Sequence, residues 1–260
     1  MTQDFAPVIS NTEVMPGVYL IWLESPRIAS EAKPGQFVMV RCREATLLRR
    51  PLSTHQRVGS KIALLFEVVG KGTAWLSQRK AGDDVDIFGP LGNGYTIHPT
   101  SHNLLLVAGG IGIAPLCLLA QQAVVQGCSV RLLLGAPTAT KLYPKHLLPP
   151  EAELMTTTED GISGRKGMIT DLLPEFTAWA DQVFTCGPVP MYRDMVLRKQ
   201  ELRLEGKSVQ VSLEVRMGCG RGVCYGCTIK QKNGLKQVCK DGPVFNLEDI
   251  LWDELNLAGA

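Results

Sequence analysis

The sequence predicts an α+β multidomain chain: an N-terminal antiparallel β-barrel, an α/β parallel-sheet nucleotide-binding domain and a small C-terminal metal module. Three observations carry this. Short runs rich in Val, Ile, Phe and Leu recur between turn clusters over residues 5–97. From 99 to about 208, apolar strands alternate with helical stretches, the pattern of a parallel sheet with right-handed crossovers. From Met217 to Cys239 the chain reads MGCGRGVCYGCTIKQKNGLKQVC, a C-x4-C-x2-C-x11-C array threaded with glycine. The expected limits are 1–98, 99–208 and 209–260.

Bulk properties agree with this division. At 260 residues the chain exceeds what one small core usually holds. Its 45% apolar content, with 26 Gly and 16 Pro, is that of a loop-rich globular protein. A net charge of +2 supplies no field of the size nucleic-acid binding needs, which sets that class of partner aside. The N-terminus MTQDFAPVIS has neither a basic nor an apolar export region, so a cytoplasmic location is expected. There, eight cysteines mean metal or redox work rather than disulfides. Leu104 to Val125 is charge-free and long enough for a membrane span, but it breaks at GGIGIAP. That break reads as strand, turn and helix, with no membrane span.

In the first domain, strands are expected at Val18–Leu23, Gln36–Cys42, Ile62–Val69 and Asp84–Phe88, with no helix before Thr73–Arg79. Three loops carry candidate chemistry. Arg49-Arg50-Pro51-Leu52-Ser53-Thr54 sets an Arg fork beside a hydroxyl in an extended segment, which suits a phosphate or a flavin ring edge. Glu67-Val68-Val69-Gly70-Lys71-Gly72-Thr73 ends a strand in glycines and enters a short helix, with free backbone donors for an anion. Gly89-Pro90-Leu91-Gly92-Asn93-Gly94-Tyr95 is the third. His55 reads as a packing residue or a cofactor contact, and Tyr95 as a flavin stack or a packing ring.

In the second domain, strands are expected at Leu104–Ala108, Val130–Leu134, Leu154–Thr158 and Gln182–Cys186, and helices at Ala114–Gln126 and Met191–Leu204. Ligands of such sheets sit at the carboxyl ends of the strands. Gly109-Gly110-Ile111-Gly112-Ile113-Ala114-Pro115 lies at one such end and Cys186-Gly187-Pro188 at another. The first supports a nicotinamide-nucleotide turn, although Pro115 stands where a third glycine would complete the fingerprint. After the second strand comes Gly135-Ala136-Pro137-Thr138, with neither an acid for a ribose nor an Arg for a 2′-phosphate. The choice between NAD and NADP therefore stays open.

Val209–Val215 is a further strand that leads into the cysteines, and Gly242–Leu257 a tail. Cys219, Cys224, Cys227 and Cys239 are the right number and type to hold one small iron–sulfur cluster. The glycines leave backbone N–H groups free to approach the sulfurs. A structural zinc ion is the alternative, which would make the chain a non-enzymatic interaction module, although zinc ribbons favour two separated C-x2-C pairs. This part has little core of its own, so a metal must stabilise it. Cys42, Cys117 and Cys128 read as buried thiols.

Read together, Arg50-Pro51-Leu52-Ser53, Gly70-Lys71-Gly72-Thr73, Gly109 to Pro115 and Cys186-Gly187-Pro188 resemble the ferredoxin-NADP reductase superfamily. With the compact cysteine array added, nearly the whole chain resembles the electron-transfer subunits of NAD-linked (class 1B) dihydroorotate dehydrogenases. The resemblance implies that Arg50, Pro51, Leu52 and Ser53 line FAD and its phosphates. Glu67, Val68 and Val69 contact the flavin by backbone, and Gly72 with Thr73 takes the pyrophosphate. Gly109, Gly110 and Gly112 form the nicotinamide-nucleotide turn for NAD. Cys186, Gly187 and Pro188 lie beside the nicotinamide and flavin N5, with Cys186 as the catalytic candidate. Cys219, Cys224, Cys227 and Cys239 ligate a [2Fe–2S] cluster. Pro137 departs from relatives that often carry a basic residue there.

The implied partner is an FMN-containing dihydroorotate dehydrogenase catalytic subunit, in a heterotetramer of two plus two. Electrons would pass from FMN through [2Fe–2S] and FAD to NAD+ in pyrimidine biosynthesis. A reductase subunit serving a hydrogenase, a ferredoxin or an oxygenase is the redox alternative. Oxygenase reductases, however, usually carry a longer ferredoxin domain with a more distant fourth cysteine.

Overall fold

Thr2–Met15 forms β1, followed by β2 (Val18–Glu24), β3 (Phe37–Val40), β4 (Arg50–Val58), β5 (Lys61–Glu67) and β6 (Asp84–Leu91). These six antiparallel strands close a barrel in the order β1-β2-β5-β4-β3-β6. The computed structural model describes residues 1–42 and 46–255; residues 43–45 of the expected barrel and 256–260 of the expected C-terminal module lie outside it.

Three barrel features depart from expectation. β1 buries only Ala6, Val8 and Met15, and its many polar residues hide the alternation that marks a strand. A short helix, α1 (Pro26–Glu31), starts on a proline whose fixed φ suits a first turn, and it buries Ile28 and Ala29. It is too short to show a helical period. The Arg50–Thr54 segment is strand rather than loop, with Arg50 to Ser53 paired in register with Val40 to Phe37. The helix after β5 is α2 (Lys71–Ser77).

The second unit contains β7 (Asn103–Gly109), α3 (Ile113–Val125), β8 (Ser129–Ala136), β9 (Glu153–Thr158), β10 (Arg165–Lys166), α4 (Leu173–Phe176), β11 (Gln182–Cys186), α5 (Val189–Leu197) and β12 (Ser208–Ser212). The charge-free stretch 104–125 is the central strand β7, a tight turn, and α3 packed on the sheet. Among the described residues no helix is long and apolar enough to cross a membrane. The helix expected over Met191–Leu204 ends at Leu197.

The remaining elements are β13 (Thr228–Gln231), β14 (Gly234–Gln237), α6 (Val238–Asp241) and β15 (Val244–Asn246). The large sheet runs β10-β9-β8-β7-β11-β12-β15. β12, which begins at the expected boundary after residue 208, is therefore a strand of this sheet. β12 pairs in parallel with β11 from Gln182↔Ser208 to Cys186↔Ser212, burying Val209 and Val211. β15 then returns from the C-terminal segment and adds antiparallel to β12.

One apolar cluster joins Met39 and Leu91 of the barrel, Val107 and Val211 of the sheet, and Cys227, Val238 and Cys239 of the cysteine segment. A second joins Val18 and Leu65 of the barrel to Leu104 and Leu119. Only the third belongs to the barrel alone. Among the described residues the cysteine segment has no separate core, in keeping with its small size.

Candidate functional site

The two motifs at the strand ends of the large sheet are pressed together. Gly112 closes the turn after β7, and a Cβ there would lie 2.0 Å from the Cys186 carbonyl oxygen and 2.9 Å from the Gly187 nitrogen, so only glycine fits. A Cβ on Gly109 would meet Pro188 Cδ at 2.8 Å. These residues open onto a cavity of about 890 Å³ whose lining includes Gly109, Gly110, Gly112, Cys186, Gly187 and Pro188. The volume is that of a small-ligand pocket, placed at the carboxyl ends of parallel strands.

Three side chains that the sequence reading missed surround Cys186. The Tyr192 hydroxyl donates to the Ser212 carbonyl at 2.7 Å and accepts the Gly187 N–H at 2.9 Å, which holds the Cys-Gly-Pro corner in place. The Tyr192 and Ser212 side chains lie beside the Cys186 thiol. Glu214 lies in the same cavity, just past the carboxyl end of β12, where the strand-end rule could have found it. Burial first, and then the Glu214 charge, push the Cys186 thiol up to about 12, so it stays a neutral thiol at physiological pH. Glu214 is open to solvent yet stands in a crowded recess. Desolvation first, and then the charge of Glu67, raise its carboxyl.

Glu67 ties this site to the barrel. Its carboxylate pairs with Lys141 at 3.3 Å, and Lys141 also donates to the Pro16 carbonyl. The Arg49–Arg50 fork is divided. Arg49 is spent inside the barrel on a two-pronged bond to Asp86 at 2.9 and 2.8 Å. Arg50 instead lies across Gly72, where a Cβ would sit 3.0 Å from Arg50 Nε. Thr73 clips its own loop, accepting the Val69 N–H at 2.9 Å and donating to the Gly70 carbonyl. The first-turn N–H groups of α2 have no helical partner, so they and Arg50 fit a phosphate.

His55 does not face a cofactor. It is fully buried, with Nδ1 on the Ala114 carbonyl at 2.9 Å and Nε2 on the Tyr143 hydroxyl at 2.7 Å. Tyr95 packs edge-on against Phe184 and donates to the Thr185 carbonyl at 3.0 Å, so it too is a packing residue. Its loop clamps instead: Asn93 Nδ2 donates to the Lys240 and Asp241 carbonyls at 3.2 and 3.1 Å, beside Cys239.

The four array cysteines meet as two pairs. The Cys224 N–H donates to Cys219 Sγ and the Cys239 N–H to Cys227 Sγ, both at 3.4 Å. The eleven-residue spacer folds as the β13–β14 hairpin, which carries Cys239 back to Cys227; its Asn233-Gly234 pair is a strong hairpin signal that the sequence reading passed over. Five backbone N–H groups point at sulfur. Arg221, Val223 and Cys224 donate to Cys219 Sγ at 3.3–3.4 Å, Gly222 to Cys239 Sγ at 3.1 Å, and Cys239 to Cys227 Sγ at 3.4 Å. Gly220, Gly222 and Tyr225 take positive φ to make these turns.

Burial alone would raise the Cys219 thiol, but the N–H donors outweigh it and lower it to about 6. Four thiols in one segment, with amide donors on three of their sulfurs, fit a two-iron cluster. The Cys227–Cys239 pair is buried, whereas Cys224 is exposed and flanked by Val223 and Tyr225, which are 69% and 71% exposed. Gly220 packs on Met39, whose register partner in β4 is Pro51. The cysteine loop therefore packs on β3, the strand that pairs with the Arg50–Ser53 segment.

Comparison with known proteins agrees with this arrangement. Residues 214–251 match the family model of the iron-sulfur cluster binding domain of dihydroorotate dehydrogenase B. The chain is 40% identical over 259 residues to the electron transfer subunit of dihydroorotate dehydrogenase B (NAD(+)) from Desulforamulus reducens, covering 95% of this chain and 98% of that protein. It is 38% identical over 252 residues to the same subunit from Caldanaerobacter subterraneus subsp. tengcongensis, covering 95% and 98%. A solved NADH-dependent reduced ferredoxin-NADP oxidoreductase that performs flavin-based electron bifurcation superposes with TM-score 0.87 at 32% identity, over 97% of this chain and 91% of that one. With full-length identity of this order, and with the cluster domain, cavity and barrel in their expected order, the chain belongs to the family of electron-transfer subunits of NAD-linked dihydroorotate dehydrogenase B.

Proposed function

We propose that this chain carries electrons between an FMN-containing dihydroorotate dehydrogenase catalytic subunit and NAD+, with FAD and one [2Fe–2S] cluster as its carriers. The observation that carries the reading is that the cysteine loop packs through Gly220 on β3, the strand paired with the Arg50–Ser53 segment, while a cavity opens at the strand ends of the adjoining sheet. A flavin exchanges single electrons with a cluster and hydride with a nicotinamide, so it belongs between them. Arg50, Pro51, Leu52 and Ser53 seat it along β4, Glu67 to Val69 border it, and Arg50 with the Gly72–Thr73 backbone takes its phosphates. Gly109, Gly110 and Gly112 cradle the dinucleotide, and Cys186, Gly187 and Pro188 hold the nicotinamide against the flavin. Cys186 acts as a neutral positioning contact. Cys219, Cys224, Cys227 and Cys239 ligate the cluster, the outer pair toward the partner.

The assembly is a heterotetramer of two chains of each kind in the cytoplasm. The test is co-expression with the FMN-dependent catalytic subunit. The complex should reduce NAD+ with dihydroorotate, and this chain alone should show flavin and iron–sulfur absorption without oxidising dihydroorotate. A purified chain with neither absorption, or a complex inert to dihydroorotate, would overturn the reading.

A further inference from the structure

A buried side-chain amide is left over inside the cysteine segment. Gln237 is 8% exposed, and among the described residues its Nε2 has no hydrogen-bond partner. A buried donor without an acceptor is destabilising, so its surroundings should supply one when the segment is complete. Gln237 ends β14, level with Thr228 of β13. It therefore stands across the hairpin from the residue after Cys227 and two residues before Cys239. Its Oε1 lies over Gly222, where a Cβ would stand 2.9 Å away. The Gly222 N–H in turn donates to Cys239 Sγ at 3.1 Å. The Asp241 carboxylate accepts the Gln237 backbone N–H at 2.7 Å, which fixes the residue where β14 turns into α6.

Donors to sulfur are unevenly shared. Among the described residues Cys219 Sγ receives three backbone N–H groups, whereas Cys227 and Cys239 Sγ receive one each. The two cysteines with one donor are those that flank Gln237. Gln231 also has an unpartnered Nε2, but it pairs with Gly234 at the far end of the hairpin and bridges to Ile250. Gln237 is the one of the two beside the cysteines.

An iron–sulfur centre gains one negative charge on reduction, and N–H groups aimed at its sulfurs stabilise that charge. We propose that the Gln237 side-chain amide donates to a sulfur of the [2Fe–2S] centre, thiolate or bridging sulfide, and so raises its reduction potential. The inference rests on the reading of the array as a cluster site. A neutral amide does this without the desolvation cost of a buried Lys or Arg.

The test is a redox titration of the full-length chain with FAD and cluster bound, followed by the EPR signal of the reduced cluster. Gln237→Met keeps the side-chain length and drops the donor. It should lower the one-electron reduction equilibrium constant about tenfold, roughly 59 mV. Gln237→Glu should lower it further, because a carboxylate opposes the added charge. An unchanged potential in both variants, at wild-type iron and sulfide content, would overturn the assignment. Should the variants lose the cluster, the wild type decides. With glutamine labelled with nitrogen-15 at the side-chain amide, pulsed EPR should show a coupling to that nitrogen, and its absence sinks the proposal. A wild-type chain with no cluster signal on reduction refutes the cluster reading itself, and this assignment with it.

Discussion

At His55 the barrel is joined to the α/β unit by a side chain that must stay neutral. The Ala114 carbonyl can only accept, so Nδ1 carries the proton and Nε2 accepts from Tyr143. Burial lowers its pKa to about 4, against a partial opposing pull from the Ala114 carbonyl. Above pH 6.5 neither the folded nor the unfolded chain protonates this ring, and nothing is lost. Between pH 6.5 and about 4 the unfolded chain binds a proton that the folded chain refuses, so stability falls as pH falls. The slope is about 1.4 kcal/mol per pH unit, hence about 2 kcal/mol between pH 7 and pH 5. Urea unfolding at the two pH values checks this, and His55→Asn should remove that share of the slope.

Among the elements, the β6 end and the β13–β14 hairpin decide whether the cysteine loop has a shape at all. The hairpin returns Cys239 to Cys227, and Asn93 holds the chain just past Cys239 by two side-chain donors. Asn93→Ala should leave the barrel intact and cost about 1–2 kcal/mol of local stability. Amide exchange over residues 237–243 should speed up roughly tenfold, with β1 to β5 unchanged. If β1 to β5 exchange faster as well, the clamp is not local.

Over the whole molecule, the shared apolar clusters make three sequence-level units into one body and leave one edge of the cysteine loop outward. Arg221 packs its guanidinium 5.4 Å over the Phe88 ring and so braces the loop against the barrel. Val223, Cys224 and Tyr225 face solvent. A large aromatic beside an exposed cysteine of the array is the kind of anchor that dominates an interface. Tyr225→Ala should weaken association with the catalytic subunit by about 2 kcal/mol, roughly thirtyfold in Kd. Its NADH oxidation with a small artificial acceptor should stay at the wild-type rate. Analytical ultracentrifugation and an acceptor assay read the two quantities separately.

The chain alone determined the order of its units, the central strands and the compact cysteine array, because long apolar runs, glycine turns and thiol spacing are local signals. It left β1 and α1 unseen, since a strand with polar outward positions and a helix of under two turns carry little periodicity. Only the tertiary structure decided the use of residues whose partners lie far away in sequence. Of two adjacent arginines it committed Arg49 to Asp86 and left Arg50 beside Gly72. It made His55 and Tyr95 packing residues and turned the Gly89–Tyr95 loop into a clamp. It brought Glu214 to Cys186 and Gln237 to Gly222. Each depends on strand order and on which side chains are desolvated together, and spacing along the chain encodes neither.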